Sequence, residues 1–362
     1  MTELEKARLT INEVDGEMCR LFEKRMDAAR VVAQYKKEHG LPIDDFTREE
    51  EIIKKNSKLV KDEELRSYYV SFLKNNIDIS KQLQHRLLDG MKVAYSGVEG
   101  AFANIVANRV FPDAEACPYP DFKYAYRAVE NGEADCALLP IENSHNGDVG
   151  KVMDLAFFGS LYVTGVYEAE IVQNLLAPKG ASIDTIKTVI SHPQALGQCA
   201  AYIEKHGFEK KEAVNTAVAA EEVARLGRID TAAIASEEAA EKFGLCKIEG
   251  HINEASNNTT RFAVFSRARR TPSVKDGHFI MLFTVKNEAG ALGHAISIIG
   301  EHGFNLKALK SRPTKELIWD YYFYAEGEGN IYSPEGEEMK KALRDLCSHF
   351  KVLATFEKEM KI

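Results

Sequence analysis

The sequence predicts a multidomain protein: an all-α bundle, then an α/β segment, then a βαββαβ unit of ferredoxin-like order. Three observations predict it. The first 90 residues keep a helical apolar period, strands and helices alternate from Met91 onward, and the last 85 residues carry strand and helix signals in βαββαβ order. A chain of 362 residues suits two or three domains. The boundaries expected are 1–90, 91–268 and 277–362.

The first helix is expected over about 9 to 34, where Ile11, Val14, Met18, Leu21, Phe22, Ala29 and Val32 form one stripe. Arg25 and Lys36 fall near its centre and Arg8 on its edge. A lone buried cation is costly unless an anion meets it. Each alone could be snorkelling or paired within the bundle; together they suggest positive charge held ready for an anionic ligand. The break His39-Gly40-Leu41-Pro42 ends this helix. A shorter helix follows Asp44-Asp45-Phe46-Thr47. A third runs over about 62 to 88, with Leu65, Tyr69, Phe72, Ile79, Leu83 and Leu87 as its stripe. A helix of about 30 residues spans roughly 45 Å, too long for two shorter helices to cover, so pairing with a second copy is expected. Beyond the break lie Asp45, Arg48 and Glu49, and on one face of the third helix Ser80 and Gln84. Arginine forks suit carboxylates, and lysine and glutamine supply point donors. A small dianion with a polar centre would fit the set.

From Met91 the chain alternates. Strands are expected at 91–95, 134–140, 160–169, 187–191, 232–235 and 261–266, giving an α/β fold with largely parallel sheets. Such sheets bind ligands beyond the carboxyl ends of their strands. Polar clusters sit there: Pro140-Ile141-Glu142-Asn143-Ser144, Ser191-His192-Pro193-Gln194, Asn215-Thr216-Ala217 and Thr260-Arg261-Phe262. Gly97-Val98-Glu99-Gly100 precedes a helix but is neither a phosphate-loop nor a dinucleotide motif. Each cluster alone could be a turn or a cap.

Arg267 to Gly277 reads as a linker. After it come strands at 278–285, 305–311, 317–325 and 351–356 and helices at 290–302 and 333–350. Ser333 and Pro334 form a plausible N-cap and first helical position.

Composition narrows the functional classes. A net charge of −8 argues against a nucleic-acid binder, and the first 90 residues balance 17 Lys/Arg against 18 Asp/Glu. No apolar run reaches membrane-spanning length, and MTELEKARL contains no apolar signal core, so a cytoplasmic protein is expected. Six scattered cysteines form no CxxC, which gives a metal site little support.

The ordered series Arg8, Arg25, Lys36, Asp45, Arg48, Glu49, Ser80, Gln84 resembles the all-helical chorismate mutase domain over residues 4 to 88. The resemblance implies an intertwined dimer in which Arg8 serves the partner's site. It implies that Lys36 and Gln84 donate to the ether oxygen of chorismate, that Arg8, Arg25 and Arg48 bind carboxylates, and that Asp45 and Glu49 hold the ring hydroxyl with Ser80 nearby. The reaction is a Claisen rearrangement, which needs no cofactor. Residues 92 to 267 resemble prephenate dehydratase, whose PIEN, SHPQ, NTS-type and TRF motifs appear in order. This implies a two-lobed, periplasmic-binding-protein-like fold with Thr260 important to catalysis; Glu142, Asn143, Ser191, Gln198 and Thr216 are candidate substrate contacts, and Arg261 could hold a carboxylate or pair internally. Here Ala217 replaces the motif's serine. Departure of hydroxide needs a proton or a strong hydrogen bond; Glu142 is a candidate acid if burial raises its pKa. Residues 278 to 357 resemble the ACT domain. Gly290, Ala291, Leu292, Asn305, Leu306, Ser311 and Arg312 would then form a phenylalanine site between paired modules, with Gly293 replacing valine and Lys310 replacing glutamate in the family motifs. As a whole the chain resembles the bifunctional chorismate mutase–prephenate dehydratase family, taking chorismate through prephenate to phenylpyruvate as a homodimer or higher homo-oligomer. An arogenate-preferring dehydratase and a non-catalytic ligand sensor are the alternatives.

Overall fold

The structure is a computed structural model describing residues 1–254, 258–314 and 321–362. It divides into two compact units, Met1–Met91 and Lys92–Ile362.

The first unit is three helices: α1 (Glu3–His39), α2 (Phe46–Ser57) and α3 (Glu63–Asp89). Thr2 and Glu5 close a reciprocal capping box on α1, and Gly40 ends it at a φ of 62°, a left-handed conformation that favours glycine. Asp45 and Asp62 cap α2 and α3 by accepting from Arg48 N and Glu64 N. Helices α1 and α3 meet through buried Met26, Ala29 and Ala33 on one side and Leu73, Ile77, Ser80 and Gln84 on the other. This differs from the expected packing. Of the α1 stripe only Ala29 is buried, and in α3 Leu65, Phe72, Ile79 and Leu87 stay exposed. Every α1 residue from 3 to 24 is exposed. At 37 residues α1 is about 55 Å long, and among the described residues its buried positions all lie in its C-terminal half.

The second unit begins with β1 (Lys92–Ser96), α4 (Phe102–Val110), β2 (Glu115–Tyr119), α5 (Phe122–Glu130), β3 (Cys136–Asn143), β4 (Gly147–Asp148), α6 (Gly150–Phe158) and β5 (Tyr162–Glu170). A second lobe follows: β6 (Asn174–Ala177), β7 (Thr188–Ser191), α7 (Pro193–Gln198), α8 (Ala200–His206), β8 (Glu209–Glu212), α9 (Thr216–Leu226), β9 (Thr231–Ala235), α10 (Glu237–Phe243) and β10 (Cys246–Glu249). The chain then returns as β11 (Thr259–Ser266), inserted between β3 and β5. The second lobe's sheet has the order β10-β6-β9-β7-β8. The sheets are mixed rather than largely parallel. Strands β1, β2 and β3 pair parallel, as do β7, β8 and β9, but β11 runs antiparallel to both neighbours and β6 antiparallel to β9. The physical reason is the double crossing: a chain that leaves one lobe and comes back adds a reversed strand. Alanine-rich β9 is buried throughout, as a strand covered on both faces should be.

The C-terminal module is β12 (His278–Thr284), α11 (Ala291–Glu301), β13 (Asn305–Pro313), β14 (Tyr321–Glu328), α12 (Pro334–Leu346) and β15 (His349–Phe356), followed by β16 (Met360–Lys361). Its strand order β13-β14-β12-β15 is ferredoxin-like. The expected strand at 317–325 lies partly outside the described residues. Helix α12 stops sooner than expected, because Ser348 N and His349 N turn to bond Thr284 and start β15. Strand β15 meets β5 at Ala354 and Val163, joining the module's sheet to that of the first lobe.

Candidate active sites

In the helical unit, Arg25 is half-buried. It donates to Ser80 Oγ and, at 2.8 Å, to Asn76 O. Burial lowers its pKa, yet a guanidinium stays charged. Lys36 donates to Ile43 O at 2.6 Å. Both cations thus rest on uncharged oxygens. Gln84 Nε2 donates to Ser80 O at 3.2 Å, while its Oε1 is buried with no hydrogen-bond partner among the described residues. A polar atom so placed is costly unless a ligand meets it. Glu49 instead receives Lys81, at 3.1 Å, and Lys81 lies 3.4 Å from Asp44. Burial alone would lower the Lys81 pKa, but these carboxylates outweigh it and raise it. Asp45 is spent as a helix cap, and Arg48 reaches Glu51 at 3.2 Å on the exposed side. Arg8 is exposed and 28 positions from Lys36, about 42 Å along α1. One chain therefore joins Arg25, Ser80 and Gln84, and Arg8 cannot complete that set within the same chain.

In the α/β unit, strand alternation sorts the predicted residues. Thr260 pairs in register with Asn143, and Arg261 with Glu142. Successive side chains point to opposite faces. On one face Asn143 Nδ2 donates to Thr260 Oγ1 at 2.9 Å and to Asn258 Oδ1 at 3.0 Å. Asn143 Oδ1 accepts from the amides of His145 and Asn146 in an Asx-type turn. A cavity of about 500 Å³ opens here, lined by His145, Asn146 and Asn258, by Gln194 and Gln198 of the second lobe, and by Asn253 and Glu254 of the returning segment. Asn258 was missed in the sequence, although strand periodicity places residue i−2 on the face of Thr260.

On the other face Arg261 bonds Glu142 at 2.8 Å and Glu326 at 2.7 Å, and also pairs with Glu359. Glu142 additionally accepts from Lys310 at 2.8 Å. Burial alone would raise the Glu142 carboxyl, but Lys310 and Arg261 hold it below its ordinary range. Two expectations are corrected here. Glu142 has the opposite of the pKa an acid would need, and Glu142 and Arg261 bind each other and the C-terminal module, across the sheet from Thr260. Two more residues prove to be apart from the cavity. Ser191 is fully buried and donates to Ile234 O at 2.6 Å, tying β7 to β9. Thr216 opens α9 behind its Asn215 cap; it is not among the cavity's lining residues, and neither are Asn143 and Thr260, which adjoin the cavity through Asn258 and the 144–146 turn. Gln198 does line it, accepting from Gln173 at 3.3 Å.

Residues 7–85 match the family model of chorismate mutase type II, and residues 93–270 that of prephenate dehydratase. The bifunctional chorismate mutase/prephenate dehydratase of Aquifex aeolicus is 31% identical, over 99% of either chain. The chain belongs to the bifunctional chorismate mutase/prephenate dehydratase family. An arogenate dehydratase/prephenate dehydratase of Arabidopsis thaliana is also 31% identical, over 76% of each chain. Among solved structures, the prephenate dehydratase of Arthrobacter aurescens, determined with L-Phe, superposes with a TM-score of 0.69 at 24% identity, covering 74% of this chain and 90% of that one. It shares the fold.

Within this family member, the candidate effector residues of the C-terminal module divide as the catalytic ones do. Gly290, Ala291 and Leu292 form the start of α11, with Gly290 as N-cap at a φ of 87°. Leu306 is half-buried; Asn305 and Ser311 lie exposed on edge strand β13, Asn305 donating to Glu328. Arg312 is committed to Asp154 through two bonds, at 2.8 and 3.2 Å, and Tyr322 adds a third contact to the same carboxylate. It is therefore unavailable to a ligand carboxylate, contrary to expectation. No helix among the described residues is long and apolar enough to cross a membrane.

Proposed function

We propose that this chain isomerises chorismate to prephenate in its helical unit and converts prephenate to phenylpyruvate in its α/β unit, under feedback by phenylalanine at the C-terminal module. The observation that carries the pairing of activities is the Aquifex relative, named for both and aligned over 99% of either chain.

In the mutase, catalysis means holding the compact conformer and stabilising negative charge as the ether C–O bond breaks. Arg25 and Lys36 keep charge that no carboxylate among the described residues cancels, so a dicarboxylate substrate can claim it. Gln84 and Lys36 donate to the ether oxygen. Arg8, remote within its own chain, enters the site of a second copy, whose α1 also covers the exposed Ile11, Val14, Met18, Leu21 and Phe22. Asp45, Arg48 and Glu49 would have to leave their present partners to reach substrate.

In the dehydratase, the Thr260 hydroxyl accepts from the Asn143 amide, so its own proton remains available to donate. Aimed at the departing ring hydroxyl, that bond lowers the cost of expelling it while the ring carboxylate leaves as carbon dioxide. Asn258 and Gln198 orient the substrate. L-Phe in the Arthrobacter structure supports phenylalanine as the effector; the place assigned to it here is where the α11 N-terminus and edge strand β13 meet the same surface of a second module.

The test is to supply purified protein with chorismate and follow prephenate and phenylpyruvate together, with arogenate as a parallel substrate. Prephenate should appear transiently and phenylpyruvate accumulate, more slowly with phenylalanine present. A protein that leaves chorismate and prephenate untouched would refute both assignments, and faster turnover of arogenate would replace the second.

A further inference from the structure

The Lys310 side chain, half-buried on β13 of the C-terminal module, reaches into the dehydratase lobe. Its Nζ donates to Glu142 Oε1 at 2.8 Å and also to Asp148 Oδ1. These two carboxylates are no arbitrary pair. Strands β3 and β4 form a hairpin in which Glu142 lies directly opposite Asp148 and Asn143 directly opposite Gly147. Like charges facing each other across an antiparallel pair push the strands apart. Lys310 sits between them and turns a repulsive rung into a bridged one.

The next rung of the hairpin holds Asn143, and the turn beyond it, 144 to 146, closes on Asn143 Oδ1 through the amides of His145 and Asn146. Gly147 re-enters β4 at a φ of 70°, a conformation suited to glycine. That turn presents His145 and Asn146 to the cavity, and Asn143 holds the Thr260 hydroxyl. The hairpin is short, so a displacement at its Glu142–Asp148 rung is passed to the turn.

We propose that Lys310 is a positioning residue for the dehydratase: by bridging Glu142 and Asp148 it fixes the hairpin turn that places Asn143 against Thr260 and borders the substrate cavity. This rests on the dehydratase reading of that cavity. It also gives the lysine of this sequence, in a motif expected to serve an effector, a direct mechanical link to the reaction centre.

The test uses the full chain, with prephenate as substrate and mutase turnover as an internal control. Lys310→Met should lower dehydratase kcat about tenfold, the size of effect expected when coupled neighbours lose their link, with a smaller change in KM and none in the mutase. Lys310→Arg should retain turnover, because a cation still bridges the rung. Adding Asp148→Asn to Lys310→Met removes the repulsion as well as the bridge, and should restore kcat to within about threefold of wild type. A Lys310→Met enzyme with wild-type kcat, or a double variant no better than the single one, overturns the proposal. Should Lys310→Met fail to fold, the double variant decides alone: near wild-type kcat supports the clamp, and a tenfold loss removes it. A wild-type protein inert toward prephenate instead sinks the dehydratase reading and takes this inference with it.

Discussion

Two cations of the bundle and three of the second unit live in opposite surroundings. Arg25 and Lys36 in the bundle rest on carbonyls and a hydroxyl, whereas Arg261, Lys310 and Arg312 in the second unit are each matched by carboxylates. Four of the five, all but Lys310, looked like ligand-binding groups in the sequence. The difference teaches that an arginine or lysine is ready for a substrate only where the chain has supplied no acid of its own. Where it has supplied one, the pair holds architecture together.

This contrast can be broken by mutation. Lys36→Ala should cut mutase turnover by about a hundredfold to a thousandfold, the usual effect of removing a donor to developing charge, and leave the dehydratase rate unchanged. Equal loss of both rates would end the claim of separate sites. Arg261→Met should act on stability: it strands Glu326, which is buried, at a cost of about 3–5 kcal/mol. A denaturation midpoint equal to wild type would contradict the structural role given to Arg261. Thr260→Ala should lower dehydratase kcat about a hundredfold with chorismate turnover intact; undiminished phenylpyruvate formation would remove that hydroxyl from the mechanism.

Mixing sharpens the comparison further. Arg8→Ala and Lys36→Ala proteins should each be poor mutases, but co-refolded together they should regain about a quarter of wild-type turnover, since half the dimers are mixed and each mixed dimer has one intact site. No recovery would place Arg8 in its own chain's site or outside any. The smallest effect concerns pH. The depressed Glu142 pKa stabilises the fold fully above its ordinary value of 4.5, and this contribution disappears as pH falls through the lower folded value. Glu142→Gln should flatten that acid limb in pH-dependent unfolding.

Much of this was legible in the letters. One cap announced itself: Ser333 stands one residue before the helix it opens, whereas Asp45, read as a substrate group, proves to be the cap of α2. The βαββαβ order was readable because short apolar runs alternate with helical stretches and glycines and a proline punctuate them. What stayed hidden depends on long-range pairing. The antiparallel insertion of β11 between β3 and β5 follows from a crossing that local sequence does not encode. The sorting of Thr260 and Asn143 to one face and Arg261 and Glu142 to the other is visible as period two, but only once the register is known. The ion pairs of Lys310 and Arg312 join residues more than 150 positions apart. Within the bundle, the expected stripes lie mostly on the face left open: of the α1 stripe only Ala29 joins Ala33, Leu73 and Ile77 in the contact inside the chain.

The open N-terminal half of α1 sets how the molecule responds to dilution. A helix with no neighbour holds its shape poorly in water; in the proposed dimer that segment would gain its stability from a second molecule, and mass action would make it depend on how many molecules are present. The α/β lobes and the C-terminal module are built on cores within their own chain and depend less on that number. Heating a dilute sample should therefore melt the protein in two stages, the earlier one sliding upward as the solution is made more concentrated and the later one moving less.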